Sequence, residues 1–270
     1  MATLRDSLAS KGQAIRLTIT EAGFTATTLI QAAGRIIPDA RQRWRFILDQ
    51  LVVCGISPLP VVCVVGLFTG MLLALQVGME LSKLGQSEAI ANIIGVVLFR
   101  EMGPFMTAMI LTASVGSAMA AEIGTMRVSE EIDALECLTV DPVSFLVMPR
   151  IVAMAIMTPL LTFVSCVLGV IGGGIVAKTQ LSVTTSVYLR NVLASLEAKA
   201  DALAPFPSEV YTGLIKAAVF GVLVSSISCA AGLKASGGAI GVGRAVRTAV
   251  VRSFLMLIII GYYISWMFFK

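Results

Sequence analysis

"IVAMAIMTPLLTFVSCVLGVIGGGIVA", residues 151–177, runs for twenty-seven residues between Arg150 and Lys178 without one charged side chain. About twenty apolar residues wound as a helix cross the hydrocarbon core of a bilayer, so this stretch is long enough to span it. It is not alone. Thirty uncharged residues separate Asp49 from Glu80 and twenty separate Glu101 from Glu122. Val210–Leu233 holds a single charge, Lys216, and Ser253–Phe269 holds none. The whole chain is 57% hydrophobic and 13% charged, where a soluble domain carries about 25% charged residues. The pattern predicts an all-α polytopic membrane protein with about five spans, near 58–79, 102–121, 151–177, 210–233 and 253–269.

Outside the spans the sequence divides unevenly. Residues 1–50 read as a cytoplasmic or membrane-surface arm of amphipathic helices ahead of a membrane body, 51–270, and no cleavable leader pattern is visible. In "ARQRWRFILDQ" (40–50), Arg41, Arg43 and Arg45 surround Trp44 and Phe46; this suits a helix in the headgroup layer or simple basic flanking. Residues 86–99 are apolar but too short to span, and read as a re-entrant or interfacial segment. Residues 178–209 form the longest polar stretch between spans, with a helix expected near 186–202. With the N-terminus inside and five spans, thirteen of the twenty Lys and Arg residues fall on the cytoplasmic side, so the positive-inside rule favours N-in, C-out. That bias accounts for the net charge of +4 without nucleic-acid binding.

Several chemistries drop out at once. The chain has no histidine, which removes His-based catalysis and His-ligated zinc. Its five cysteines form no CxxC pair and read as small core residues rather than a metal site. "GGAIGVG" (237–243) follows no strand and precedes no GK[ST], so neither a dinucleotide nor a P-loop reading holds. No catalytic residue and no metal ligand is expected. "GVIGGG" (169–174) offers a surface without side chains, for close helix packing or as a flexible kink.

One short stretch breaks the apolar pattern. "AAEIGTMRVSEEIDALECLTVDP" (120–142) carries six of the sixteen acids: Glu122, Glu130, Glu131, Asp133, Glu136 and Asp141. With Ser129 as N-cap, Glu130 and Glu131 fall in the first turn of a helix, where carboxylates suit the helix dipole. Val128, Ile132, Leu135 and Thr139 then share one stripe. The residues alone leave two readings open, a docking helix or a solvated acidic loop.

This segment resembles the signature of the MlaE/YrbE-type permeases, membrane subunits of ABC systems that move lipids between bacterial membranes. The resemblance extends to "LFREMGPFMTAMILTASVGSAMAAEIG" (98–124), "GLFTGMLLALQ" (66–76) and "ASGGAIGVGRAVRTAVV" (235–251). It implies a membrane-surface N-terminal helix, five spans, a homodimer in the bacterial inner membrane, and a coupling helix at about 124–140 that inserts into a cytosolic ABC ATPase. Glu122, Gly124, Thr125, Met126, Arg127, Glu130, Glu131 and Asp133 would carry that coupling. ATP and magnesium would belong to the partner ATPase, with no cofactor in this chain. A periplasmic ring of MCE-domain proteins, and in some systems a STAS-domain protein, would complete the assembly, with phospholipid as cargo and outer-membrane asymmetry as the purpose.

The resemblance also places Arg100-Glu101 beside an outward lipid cavity. Charges at membrane depth cost roughly 2.5–3.5 kcal/mol each on insertion scales, so they face a cavity or a partner. Arg100 could hold a lipid phosphate with Glu101 orienting it, or the two could form an intramolecular or snorkelling pair. Lys216 is a second cavity candidate or a snorkelling base. Leu72, Leu75, Gln76 and Met79, read as one face of the first span, could touch acyl chains, the surrounding lipid or another helix. Two alternatives remain beside phospholipid transport: the same family with another hydrophobic cargo such as sterols, or a carrier that needs no ATPase. The near absence of carboxylates within the spans argues against ion coupling, and the lack of nucleophile–base spacing argues against an enzyme.

Overall fold

The computed structural model describes residues 44–83, 90–180, 184–197 and 208–269, with six further helical positions between 23 and 31. Every element among them is helical. Helix α1 (Trp44–Ile56) ends at a two-residue turn formed by Ser57 and Pro58, and α2 (Leu59–Lys83) follows. Next come α3 (Ile90–Val128), the short α4 (Glu131–Cys137), and α5 (Val143–Gln180). The chain closes with α6 (Thr185–Glu197), α7 (Ser208–Leu233) and α8 (Gly238–Phe269). Five of these, α2, α3, α5, α7 and α8, are long and apolar enough to cross a membrane, as the charge-free runs predict.

Glycine decides how the long helices meet. Gly66 and Gly70 of α2 face Ser165 and Gly169 of α5, and Gly172 of α5 faces the Leu67 carbonyl. A Cβ on Gly66 would stand 2.8 Å from the Ser165 carbonyl oxygen, closer than any real contact of that kind. Lipid tails are as apolar as leucine, so spans gain little by hiding apolar surface and associate through close packing instead. The GVIGGG stretch is thus a packing surface and not a kink. Its far end, Gly173 and Gly174, receives the fully buried ring of Tyr188 from α6. Burial pushes that phenol up to about 12, so it stays neutral.

The boundaries differ from the sequence reading in four places. Residues 90–97, expected as a separate re-entrant piece, are helical and continue without a break into the second span. Residues 86–89 lie outside the described set. The last span starts at Gly238 rather than Ser253. Arg244, Arg247 and Arg252 ride on its first turns, so a charge-free window sees only the part inside the hydrocarbon. The second span continues to Val128, so the first half of the expected coupling helix, 124–128, belongs to α3. Finally, Ser129 does not cap α4. Its N–H donates to the Thr125 carbonyl and closes α3, which leaves the chain reversal to Glu130 at φ 62°.

Other expectations fall on partly described ground. The arm and body boundary at 50/51 falls inside α1, where Trp44, Arg45 and Phe46 are exposed and Ile47 is buried. Arg41 and Arg43 lie outside the described residues. The helix expected near 186–202 is present as α6, and Pro205 and Pro207 lie outside the described set.

The glycine contacts predict a clear asymmetry. Gly70→Ala should lower the thermal stability of the detergent-purified protein, by about 1–3 kcal/mol as an overpacking change. Gly243→Ala, where a Cβ meets nothing within 4 Å, should leave the melting temperature unchanged or raise it.

Candidate functional site

Three π-helical turns widen the spans, and the first, Leu98–Met102, carries Arg100 and Glu101. Pro104 stands just beyond Gly103 and has no N–H to offer the Arg100 carbonyl four residues back. The register shifts by one, and the Gly103 N–H donates to the Leu98 carbonyl instead. The Cys166 thiol donates to that same carbonyl at 3.6 Å. Such turns concentrate at functional sites. Gly213 lets α7 lie directly against the Phe99 carbonyl, and one turn later α7 presents Lys216.

Lys216 closes a three-helix polar cluster. Its Nζ donates to Glu101 Oε2 at 2.6 Å and to Ser265 Oγ at 2.7 Å. The Ser265 hydroxyl lies 2.6 Å from Glu101 Oε1 and 2.9 Å from the Gly261 carbonyl. It has one proton to give, and the carboxylate is the stronger acceptor. The Lys216 ammonium also sits 5.9 Å from the centre of the Phe220 ring, within cation–π range. The lysine side chain is 4% exposed and the glutamate 39%, so the cluster is buried on the lysine side and open on the glutamate side. It opens into a cleft of about 360 Å³ walled by Phe105, Leu257, Ile258 and Tyr262.

The expected residues take different places around this cluster. Lys216 does not snorkel; it is buried and turned onto Glu101. The partner of Glu101 comes from 115 residues away, which no local spacing reveals, and Ser265 was missed entirely. Arg100 is half-buried and is not among the residues lining the cleft. Leu72, Leu75, Gln76 and Met79 follow one side of α2, as their three- and four-residue spacing requires, with Leu75 at its edge. Leu72, Gln76 and Met79 point away from the bundle, whereas Leu75 packs against the buried cluster containing Ala74 and Ile94. None of the four lines the cleft.

A second constellation lies at the other end of α3, about 40 Å along the helix from Glu101 at 1.5 Å per residue. Here α4 is pinned to the bundle by Ile132, 2% exposed, which packs with Ile123, Val147, Met148 and Ile151. Both ends of α4 reverse through left-handed residues that are not glycine, Glu130 at φ 62° and Thr139 at φ 58°. At the second end the Val140 N–H donates to Leu135 and the Thr139 N–H to Glu136. This is the Schellman arrangement, with threonine where glycine is usual. Left-handed non-glycine residues store about 1–3 kcal/mol each and cluster at functional surfaces.

The expected coupling residues sort by their contacts. Gly124 packs against Ala235 and Val242, and Met126 joins the core beneath α4. Thr125 Oγ1 donates to the Ala121 carbonyl. Arg127 pairs with Asp133 across the turn and so fixes the angle between α3 and α4. Glu122 pairs with Arg150 on α5 at 2.8 Å. That arginine is 8% exposed, and the sequence reading did not single it out. The surface left for a partner is Glu130, Glu131, Glu136 and Leu138, the last 71% exposed.

The Glu101–Lys216 pair generates a double-mutant prediction. Glu101→Gln should strongly destabilise the purified protein, because it leaves the buried Lys216 charge without its counter-ion. Lys216→Met should cost less, because Glu101 keeps Ser265 and is open to solvent. The double variant should be more stable than the sum of the two losses, by about 0.5–3 kcal/mol in a thermal or denaturant cycle.

Comparison with known proteins identifies the family. The family model described as "Permease MlaE" matches residues 47–267. A probable ABC transporter permease protein of Rickettsia prowazekii is 40% identical over 224 residues, covering 83% of each chain. One from Synechocystis is 35% identical over 87% of this chain and 86% of its own length. The chloroplast protein trigalactosyldiacylglycerol 1 of Arabidopsis thaliana is 31% identical over 88% of this chain and 66% of its own length. With five membrane-crossing helices and a family match over most of its length, this chain belongs to the MlaE permease family and is the permease subunit of an ABC transporter.

Proposed function

We propose that this permease moves phospholipid between the inner and outer membranes of a bacterial envelope and so maintains outer-membrane lipid asymmetry. The observation that carries the reading is the Glu101–Lys216–Ser265 cluster at the mouth of an apolar-walled cleft. A phospholipid is an anionic phosphate on an apolar body. An ammonium held at the edge of an apolar cleft matches both halves, and the open side of Glu101 is where a headgroup could compete for Lys216. Arg100, on the same widened turn, is the second cation proposed to meet the phosphate. The name of the chloroplast relative, that of a glycerolipid, supports a lipid cargo over an ion.

Energy enters at the other end. An ABC permease works with an ATPase, and α4 is the proposed contact: a rigid, acidic, strained corner anchored by Ile132 and the Arg127–Asp133 pair. Nucleotide-driven closure of the ATPase would press on α4. The rigid α3 would carry that displacement to the turn holding Glu101 and shift the cluster between arrangements that bind and release headgroups. In this reading α4 faces the cytoplasm, the cleft opens to the periplasm, and the C-terminal Tyr262, Tyr263 and Trp266 form an interfacial aromatic belt. The proposed assembly is a homodimer bearing an ATPase dimer inside and an MCE-domain ring outside, with a STAS-domain protein as a further cytosolic partner.

Two measurements test these roles. Glu130→Lys with Glu131→Lys should abolish ATPase co-purification while leaving the melting temperature of the permease unchanged; retained ATPase and normal transport would remove α4 from the coupling role. Arg100→Ala should lower the phospholipid that stays with the purified complex at least severalfold. Unchanged lipid content and transport would remove Arg100 from the cargo path.

A further inference from the structure

A second cavity, separate from the cleft at Glu101, lies at the α4 end of the bundle between α7 and α8. Its volume is about 220 Å³. One wall is a single face of α7, with Ile227, Ala230 and Ala231, continued by Lys234 in the turn just past its end. The opposite wall is one face of α8, built from Arg244, Thr248 and Arg252. Ser236, in the turn between them, and Thr25, from the N-terminal helix, complete the lining.

Three features set this cavity apart from an ordinary basic flank. First, three cations and three hydroxyls converge on one small space, and among the described residues none that lines it is acidic. The sequence contains no Asp or Glu after Glu209, so α8 and the turn before it supply no counter-charge. Second, the cations sit at two depths. Arg252 lies eight residues, about 12 Å, further along the helix than Arg244, and the wall beside them is apolar. A flank that serves orientation needs bases only at the membrane surface. Third, the cage is held in shape. Lys234, Arg252 and Thr25 each make an interaction within the chain. The left-handed Gly237, at φ 89°, brings the turn into ordinary contact with the Arg244 guanidinium, whose Nη2 would lie 3.5 Å from a Cβ there.

We propose that this cavity binds a phosphate-bearing anion. Arginine and lysine supply charge-assisted hydrogen bonds to its oxygens, the hydroxyls of Ser236 and Thr248 add neutral donors, and the apolar α7 face accepts a carbon chain if the phosphate carries one. Basic pockets between spans near a membrane surface suit lipid headgroups, and a free phosphate offers the same chemistry. Gly124, on the stretch of α3 leading to α4, packs against Ala235 and Val242 beside the cavity. An occupant therefore stiffens the joint between α8 and the α4 corner. This site is independent of the cargo cleft, and its test does not depend on transport.

The permease, purified with its complex in a phosphate-free maltoside detergent, is melted in the presence of inorganic phosphate, dioctanoyl phosphatidic acid or dioctanoylglycerol. A ligand that binds only the folded state raises the melting temperature. The expected result is stabilisation by a phosphate-bearing probe and none by dioctanoylglycerol. Arg244→Gln and Arg252→Gln should each raise the half-maximal concentration at least about tenfold, the loss of one charged hydrogen bond. Arg247→Gln, an exposed base on the same helix outside the cavity, should leave it unchanged. Arg252→Lys, which keeps the charge, guards against a misfolded variant and should retain most of the binding. Stabilisation by both phosphate-bearing probes, or by inorganic phosphate alone, assigns a soluble anion; stabilisation by phosphatidic acid alone assigns a headgroup. No shift with either, an equal loss in Arg247→Gln, or equal stabilisation by dioctanoylglycerol overturns the proposal.

Discussion

The bundle rests on a backbone-to-backbone contact. Gly66 and Gly70 of α2 meet Ser165 and Gly169 of α5, and Gly172 of α5 meets the Leu67 carbonyl, so close that the backbones touch. Within a bilayer there is little hydrophobic gain from bringing two apolar helices together, so what holds them is the number of atoms in contact at van der Waals distance. Removing Cβ atoms from both surfaces lets the helices approach until their backbones touch. Everything else is hung on this frame. Helix α5 is the hub: α1, α2, α3 and α7 all pack against it, and it also supplies Arg150 to Glu122 and Cys166 to the widened turn of α3.

That frame places two polar devices at the two ends of α3. A helix of 39 residues is about 58 Å long, far more than a bilayer core, and it connects the cleft to the strained corner at α4 in a single element. The π-turns at Leu98–Met102 and Thr112–Gly116 are its two points of irregularity. Displacement at one end must either travel along the helix or be absorbed at those turns. The first of them holds Glu101, so a change in register there alters the Lys216 contact directly. Structure and proposed mechanism meet at this point: a long rod with two adjustable turns, the first of them located where the cargo's headgroup would bind.

Much of this was legible in the residues. Charge-free runs gave the number of spans because burying a charge in hydrocarbon is too costly to be hidden by local context. GVIGGG offered a close contact or a kink, and only the placement of α2 against it decides for the contact. Boundaries were harder. Arg244 and Arg252 are helical although they are charged, because a span can continue past the membrane surface, and a hydropathy window ends where the charges begin. Glu130 and Thr139 gave no sign of their left-handed backbone, a conformation usually marked by glycine or asparagine. The Glu101–Lys216–Ser265 cluster was half visible. Each charge was suspicious alone, but their pairing depends on how α3, α7 and α8 are placed in space. Arg150 escaped because it stands at the edge of a span, where a base has a trivial explanation.

The central claim is that this chain carries lipid under the power of a separate ATPase that engages α4. The most direct measurement is to tag the chain in its own cells, extract it in mild detergent and identify by mass spectrometry what accompanies it. The account predicts a P-loop ATPase in stoichiometric amount, together with bound phospholipid. A chain that emerges without an ATPase, under conditions that keep other ABC complexes intact, would contradict it.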